Sequence, residues 1–310
     1  MKNKLITVVT PIFNEEDTVL NCYRKVKEEF SKLPYDYEHI FIDNSSIDTS
    51  VIKIKDIIRK DKNIKLIVNQ KNYGIVKSPF YGLLQGSGLA TIMLHCDLQE
   101  PVSLFPKFIK KWEDGSQIVL AQKNYSTDSI FISFLKKIYY YFIVKISNDG
   151  LLTNVTGAGL YDKFVIEQLK VLNDPYPYLR GLICELGFSI STVPYNQQVR
   201  EKGYSRNNII VLYDTAMNSM VNHSTFALRI ILIFGVLLGL ISIAISFLML
   251  FLKLYNWESF PLGYAPFFIS ISFLIGVILI SIGLVGEYII SIHRRLKQLP
   301  LVIEKERINM

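Results

Sequence analysis

Two long apolar segments near the C-terminus constrain this chain more than any other feature. Residues 230–252 and 259–286 contain no Asp, Glu, Lys or Arg. A helix of ~23 residues is roughly 34 Å long, enough to cross the ~30 Å hydrocarbon layer of a bilayer. Helices of a soluble core normally keep a polar face, which neither segment has. The sequence therefore predicts a transmembrane hairpin, with helices at 225–253 and 262–290 and an outer loop at 254–261.

The basic residues around this hairpin predict its orientation. Arg229 precedes the first helix, and Arg294 and Arg295 follow the second. Because cytoplasmic flanks carry an excess of Lys and Arg, we expect both ends of the hairpin in the cytoplasm. The expected protein is a multi-pass cell-membrane protein with a juxtamembrane helix at 206–224, a cytoplasmic tail at 291–310, and both termini inside.

Charge and cysteine content narrow the class of partner. The net charge is +7, which favours anionic partners such as nucleotide phosphates and lipid headgroups. The basic residues form no stripe interleaved with stacking aromatics, so nucleic-acid binding is disfavoured.

The three cysteines, Cys22, Cys96 and Cys184, have no CxxC spacing. Neither a disulfide framework nor a structural zinc site is indicated.

The first two hundred residues alternate between strand and helix patterns. Strands are predicted at 5–10, 38–42, 64–68, 91–94 and 118–121, and helices from Glu15 (capped by Asn14) and at 51–60, 73–85 and 102–112. This alternation predicts an α/β domain with a mostly parallel sheet covered on both faces.

Three polar segments follow predicted strands, at 11–16, 43–48 and 95–101. Ligands of such sheets bind beyond the carboxyl ends of the strands, so these segments are candidates for the site. They are rich in acidic residues although the chain is basic, which suits a divalent cation that bridges phosphates. Neither a GxGxxG nor a P-loop motif occurs there.

Four segments carry a family resemblance: TPIFNEED at 10–17, IDNSSIDTS at 42–50, CDLQEP at 96–101 and REKGYSRNN at 200–208. Together with the hairpin they resemble the family 2 glycosyltransferases of GT-A fold, within them the group that transfers sugars to polyprenyl phosphates. The resemblance covers nearly the whole chain. It implies a Rossmann-like GT-A domain at 1–205, with an interfacial helix at about 128–147, followed by the hairpin.

The resemblance also implies roles for individual residues. Asp97 and Arg200 are the candidate catalytic residues, and Asp97 and Gln99 the candidate ligands of Mg²⁺ or Mn²⁺. The resemblance also implies a nucleotide-sugar pocket of Pro11, Asn14, Glu15, Asp43 and Gln99. The need to balance phosphate charge adds basic candidates from the sequence itself: Lys123 for the pocket, and Lys136, Lys137, Arg200, Lys202 and Arg206 for lipid phosphate and diphosphate. The cation and the basic side chains would neutralise the diphosphate leaving group.

The chain departs from the family pattern in three places. His95 stands where the metal motif has its first acid, Asn44 and Ser45 replace an acid and a glycine, and GAGLY at 157–161 lacks the Asp and Arg of the usual GDFRL. His95 is either a cation ligand or a neutral strand-end residue. The departures keep open a second hypothesis, a non-catalytic membrane scaffold that binds nucleotide sugars.

The expected activity is inverting transfer of a hexose from a UDP-linked donor to undecaprenyl or a related polyprenyl phosphate, by a homo-oligomer such as a tetramer. A phosphate acceptor is already ionised, so no general base is needed. The alternative acceptor, the hydroxyl of a lipid-linked sugar, requires a carboxylate base. Glu185 is the candidate for that role, although a structural role is preferred for it.

Overall fold

The structure, a computed structural model, describes residues 4–124, 155–172, 174–197 and 299–310, and isolated helical residues between 237 and 296. The chain divides into two compact units, Met1–Ile209 with Lys297–Met310, and Ile210–Leu296. The predicted interfacial and juxtamembrane helices, and most of the predicted hairpin, lie outside the described residues. Among the residues that are described, no helix is both long and apolar enough to span a bilayer.

The first unit is built on an eight-stranded mixed sheet. Its strands are β1 (Leu5–Ile12), β2 (Asp36–Asp43), β3 (Ile64–Asn69), β4 (Ala90–Met93), β5 (Ile118–Lys123), β6 (Val155–Asp162), β7 (Ile190–Tyr195) and β8 (Glu304–Ile308), in the order β7-β5-β6-β4-β1-β2-β3-β8. Strands β1 to β4 pair in parallel, as do β5 and β7, whereas β6 and β8 run antiparallel to their neighbours. The five predicted strands are confirmed.

Helices cover both faces of this sheet. They are α1 (Val19–Phe30), α2 (Ser50–Ile58), α3 (Gly74–Leu83), α4 (Phe105–Glu113, after a 3₁₀ turn at Val102–Leu104), α5 (Lys163–Leu172) and α6 (Leu179–Glu185). Helices α1, α2 and α4 bury their apolar stripes in one core, and α3, α5 and α6 do so in the other. Because the central strands are buried on both sides, their sequences are mostly apolar, which made them predictable.

The strand order determines where on the sheet a ligand site can lie. The chain moves from β1 to β2 and β3 on one side, then crosses back to put β4 on the other side of β1. This reversal opens a crevice at the carboxyl ends of β1 and β4, where doubly wound sheets bind their ligands. The loops that follow these two strands contain two of the three candidate segments.

The first helix begins later than predicted. Helix α1 starts at Val19 with Thr18 as its N-cap residue, so the prediction of a helix from Glu15 capped by Asn14 is wrong. Asn14 has φ of +54°, and its side-chain oxygen accepts the backbone N–H of Ile47 at 2.9 Å. The cap-like residue therefore joins two loops that are 33 positions apart, a partnership that local sequence does not reveal.

The GAGLY segment that departs from the family pattern is the middle of β6. A Cβ on Gly159 would lie 2.2 Å from the carbonyl oxygen of Val119 in β5, so this position requires glycine. Tyr161 is fully buried, and its hydroxyl donates to the carbonyl of Gly157 at 2.6 Å. These residues serve the sheet, which gives the unusual segment a structural explanation.

The last strand, β8, was not foreseen in the tail at 291–310. It adds to the free edge of β3 by antiparallel pairing. Four of its five side chains are charged, and two of them bond to the helices beside the sheet: Lys55 pairs with Glu306 at 2.6 Å, and the hydroxyl of Tyr81 donates to Glu304 at 2.7 Å. Residues on both sides of the apolar segments therefore belong to one sheet.

A buried histidine in β2 predicts loss of stability in acid. His39 is fully buried, and burial lowers its pKa to about 3, against about 6.5 in an unfolded chain. Below pH 6.5 the unfolded state binds the extra proton, so the free energy of unfolding falls as pH drops toward 3. We expect this residue to contribute a loss of about 2 kcal/mol between pH 7 and pH 5.

Urea unfolding of the full chain in detergent, at both pH values, measures this loss. The His39→Gln variant keeps a partner for the Thr10 hydroxyl, which lies 2.9 Å from Nε2 of His39, but it does not titrate. Between pH 7 and pH 5, the free energy of unfolding should fall by about 2 kcal/mol less in the variant than in the wild type. Equal losses in the two proteins would show that His39 is not the titrating group.

Candidate active site

The loop after β1 is joined to the loop after β2 by backbone-to-side-chain hydrogen bonds. The N–H groups of Asn14 and Glu15 donate to the hydroxyls of Ser46 and Ser50, at 2.8 and 2.9 Å. Together with the bond from Ile47 to Asn14, these contacts fix the two segments as one wall beside the end of β1. Pro11, Asn14 and Glu15, three predicted pocket residues, lie on this wall or on the strand that leads to it.

Asp43 ends β2 and is fully buried. One carboxylate oxygen accepts the N–H of Ser46 at 3.0 Å, whereas the other, Oδ1, has no hydrogen-bond partner among the described residues. Burial raises the pKa of this carboxyl despite the bonds from Ser46. A buried hydrogen-bond acceptor without a partner is energetically costly, so this oxygen is suited to accept a hydrogen bond from a bound ligand.

Asn44 holds the next loop against Asp43. Its amide nitrogen donates to the side chain of Asn72 at 2.8 Å and to the carbonyl of Gly74 at 3.2 Å. Its oxygen accepts the N–H of Tyr73 at 2.8 Å. An acid at this position could not donate both bonds at neutral pH, so the loop from 70 to 74 explains why asparagine replaces the second acid.

The metal motif forms a tight turn after β4. The N–H of Leu98 donates to the carbonyl of His95 at 3.2 Å, and Leu98 has φ of +53°. Within the turn, Oδ1 of Asp97 accepts the N–H of Gln99 at 3.3 Å. The turn presents His95 and Asp97 at the carboxyl end of β4, at the crevice.

Glu100 is the organising residue of this turn, and sequence reasoning did not assign it a role. It is buried, and its Oε2 lies 3.0 Å from Nδ1 of His95. Its Oε1 accepts the hydroxyls of Thr156 at 2.9 Å and Tyr195 at 3.0 Å. Burial disfavours the charged carboxylate, yet His95 and the two hydroxyls lower its pKa to about 2. The only signal was its place in the CDLQEP motif.

Two further pocket predictions, Gln99 and Lys123, lie near this turn. The side-chain oxygen of Gln99 accepts a hydrogen bond from the amide of Gln197. Lys123 ends β5, and its charge acts to lower the pKa of His95. Burial is the largest single effect and also lowers that pKa, but the charge and hydrogen bond of Glu100, together with the charge of Asp97, outweigh burial and Lys123, so the His95 pKa is raised.

The basic residues predicted to contact lipid phosphate and diphosphate lie outside the described residues: Lys136, Lys137, Arg200, Lys202 and Arg206. The base candidate Glu185 is described: it is exposed at the end of α6.

The side chains available as ligands limit the kind of metal site that this turn can form. No group of three or more His, Cys, Asp or Glu side chains suited to a metal ion occurs within the described ranges. Cations that act on phosphate substrates commonly take one or two carboxylates from the protein and their other ligands from phosphate and water. Asp97, with the amide oxygen of Gln99, fits a cation that binds together with a diphosphate.

Comparison with known proteins adds independent information. Residues 7–170, just over half of the 310-residue chain, match glycosyl transferase family 2. The chain is 33% identical over 307 residues to the putative glycosyltransferase CsbB of Bacillus subtilis strain 168, covering 99% of this chain and 93% of that protein. It is 32% identical over 305 residues to the bactoprenol glucosyl transferase of Shigella phage SfII, covering 97% of each.

A solved structure supports the fold. The mannosyl-3-phosphoglycerate synthase from Rubrobacter xylanophilus has a TM-score of 0.50 at 12% identity, covering 73% of this chain and 74% of that one. The mixed, Rossmann-like sheet agrees with the GT-A fold expected from the sequence.

Proposed function

On the premise that this chain belongs to glycosyl transferase family 2 and is a glycosyltransferase, we propose that it transfers a hexose from a UDP-linked donor to a polyprenyl phosphate of the undecaprenyl class, with inversion at the anomeric carbon. The observation that carries this proposal is the similarity over 97% of both chains to a protein named bactoprenol glucosyl transferase. That similarity includes the apolar C-terminal segments as well as the α/β unit.

The donor assignment is supported by the wall between β1 and β2. The open Oδ1 of Asp43 can accept an N–H from a nucleotide base such as uracil. The Asn44 contacts fix the loop from 70 to 74 beside it. We propose that Pro11, Asn14 and Glu15 complete this pocket.

The leaving group is a nucleoside diphosphate, which carries at least two negative charges. Asp97 and Gln99 would hold a Mg²⁺ or Mn²⁺ ion here, and that ion supplies charge neutralisation as the anomeric bond breaks. Lys123 is the described basic residue beside this turn that can contribute positive charge to the same end.

The acceptor assignment is consistent with the titratable groups near the turn. Glu100 is held in its charged form by three partners and is buried, so it is poorly placed to remove a proton from a substrate hydroxyl. An ionised lipid phosphate needs no such base. The protein must instead hold two anions close together, and we propose that Lys136, Lys137, Arg200, Lys202 and Arg206 supply cations for this purpose.

Membrane attachment is part of the proposal. The apolar segments at 230–252 and 259–286 would form a hairpin that keeps the α/β unit at the cytoplasmic face. Strand β3 precedes these segments and β8 follows them, yet the two strands pair. A chain that enters a membrane between them must return to the same side, which favours two crossings over one. Homo-oligomerisation remains part of this proposal.

Sealed membrane vesicles test both the reaction and the side of the membrane on which it takes place. Inside-out vesicles that contain the protein and undecaprenyl phosphate should label their lipid from external radiolabelled UDP-hexose, which does not cross the bilayer. Right-side-out vesicles should do so only after permeabilisation. Mild acid should release the sugar from the product, because the sugar is attached through a phosphodiester.

Three outcomes would contradict the proposal. Labelling of intact right-side-out vesicles would reverse the orientation. An acid-stable product on a lipid-linked sugar would favour the hydroxyl acceptor. Donor binding without transfer across all UDP-hexoses and both lipid acceptors would favour the non-catalytic scaffold.

A further inference from the structure

We infer that His95 is a direct ligand of the divalent cation and that, with Asp97, it forms an imidazole-and-carboxylate metal site. The inference rests on the proposed function, which brings a nucleoside diphosphate and its cation to the turn after β4. The two residues lie two positions apart in that turn, and the 3.2 Å hydrogen bond from the N–H of Leu98 to the carbonyl of His95 closes the loop between them.

The contact with Glu100 orients the ring for this role. Nδ1 of His95 faces Oε2 of Glu100 at 3.0 Å, so the hydrogen on Nδ1 points to the carboxylate and Nε2 is the nitrogen left to bind a metal. A carboxylate behind a ligating histidine fixes the tautomer and the ring direction and makes the ligand more basic.

Glu100 is itself held rigidly. The hydroxyls of Thr156 on β6 and Tyr195 on β7 both donate to its Oε1. Three parts of the sheet therefore converge on one buried carboxylate, and that carboxylate positions His95.

The identity of the ligand atoms affects which metal ion the site prefers. Carboxylate and water suit Mg²⁺, whereas an imidazole nitrogen favours transition metals. We expect the wild type to prefer Mn²⁺ over Mg²⁺ by a larger factor than a variant with an acid at this position. The His95→Asp variant supplies that acid, and the 38% exposure of the His95 side chain makes the change compatible with folding.

Pulsed electron paramagnetic resonance of Mn²⁺ detects the ligand directly. The full chain in detergent, loaded with Mn²⁺ and UDP, should show coupling to a directly bound ¹⁴N nucleus. The coupling should vanish in His95→Asp and persist in His293→Asn, a control at an exposed histidine. By titration, the preference for Mn²⁺ over Mg²⁺ should fall about tenfold in His95→Asp.

Glu100→Gln tests the positioning role. It retains a hydrogen-bond acceptor but loses the charge, and Mn²⁺ affinity should fall by roughly 10- to 100-fold, as is usual when the partner of a metal-bound histidine is removed. Urea unfolding establishes that this buried variant is folded, and the His95→Asp result stands without it.

The metal-site inference and the proposed function can be contradicted independently of each other. Absence of nitrogen coupling, or an unchanged Mn²⁺ preference in His95→Asp, would overturn the inference even if polyprenyl phosphate accepts the sugar. Nitrogen coupling in a protein that does not glycosylate polyprenyl phosphate would support the metal site and contradict the proposed function.

Discussion

Replacing Asp97 by asparagine is expected to reduce sugar transfer by about 10²- to 10³-fold, because the turn after β4 would lose the half-buried carboxylate proposed to hold the cation while keeping its shape. The new amide retains an oxygen for the N–H of Gln99, which Asp97 accepts at 3.3 Å. The fold should therefore survive. Initial rates of hexose transfer to undecaprenyl phosphate, at saturating donor and Mn²⁺, measure the loss.

The matched control is Asp114→Asn, at an exposed aspartate that follows α4. It removes the same charge from the same α/β unit and should leave the rate unchanged. Removing divalent cations with a chelator should reduce the wild-type rate to the level of the Asp97 variant, and adding Mn²⁺ back should restore only the wild type. Near-normal turnover of Asp97→Asn would show that the cation is held elsewhere or is not required.

Most of the sheet could be predicted because buried parallel strands have a strong local signal. Strands β1 to β5 are mostly apolar, and each predicted strand lies within the observed one or extends past it by a single residue. Strand β8 has the opposite character: its sequence EKERI resembles a solvated tail. Its position depends on the open backbone edge of β3, which is 235 or more residues away in the chain, and hydropathy carries no information about such an edge.

The site was predictable where a motif marks it and not where long-range contacts build it. The strand pattern placed Asp43 and Asp97 after the second and fourth strands, and the structure puts them at the carboxyl edge of the sheet as expected. It did not explain Asn44, whose partners lie between 69 and 74. Nor did it identify Glu100, which depends on residues about 55 and 95 positions away.

The second large effect is expected at the nucleotide pocket. In Asp43→Asn, the side-chain oxygen must still accept the N–H of Ser46, so the new NH₂ group would occupy the place of the open Oδ1. A donor would then face the N–H of the bound base, where the wild type offers an acceptor. We expect UDP affinity to fall by roughly 10- to 100-fold, since an unmatched buried donor costs about 1–3 kcal/mol.

Calorimetric titration with UDP in the presence of Mn²⁺ measures this change, and the control is Asp36→Asn. Asp36 is exposed at the opposite end of the same strand, so its variant separates the loss of a negative charge from the loss of the acceptor. UDP affinity should be unchanged in the control. Because burial already raises the pKa of Asp43, neutralising it should not unfold the sheet. If Asp43→Asn is folded and binds UDP as tightly as the wild type, the base is recognised elsewhere, and the argument from the open carboxylate oxygen fails.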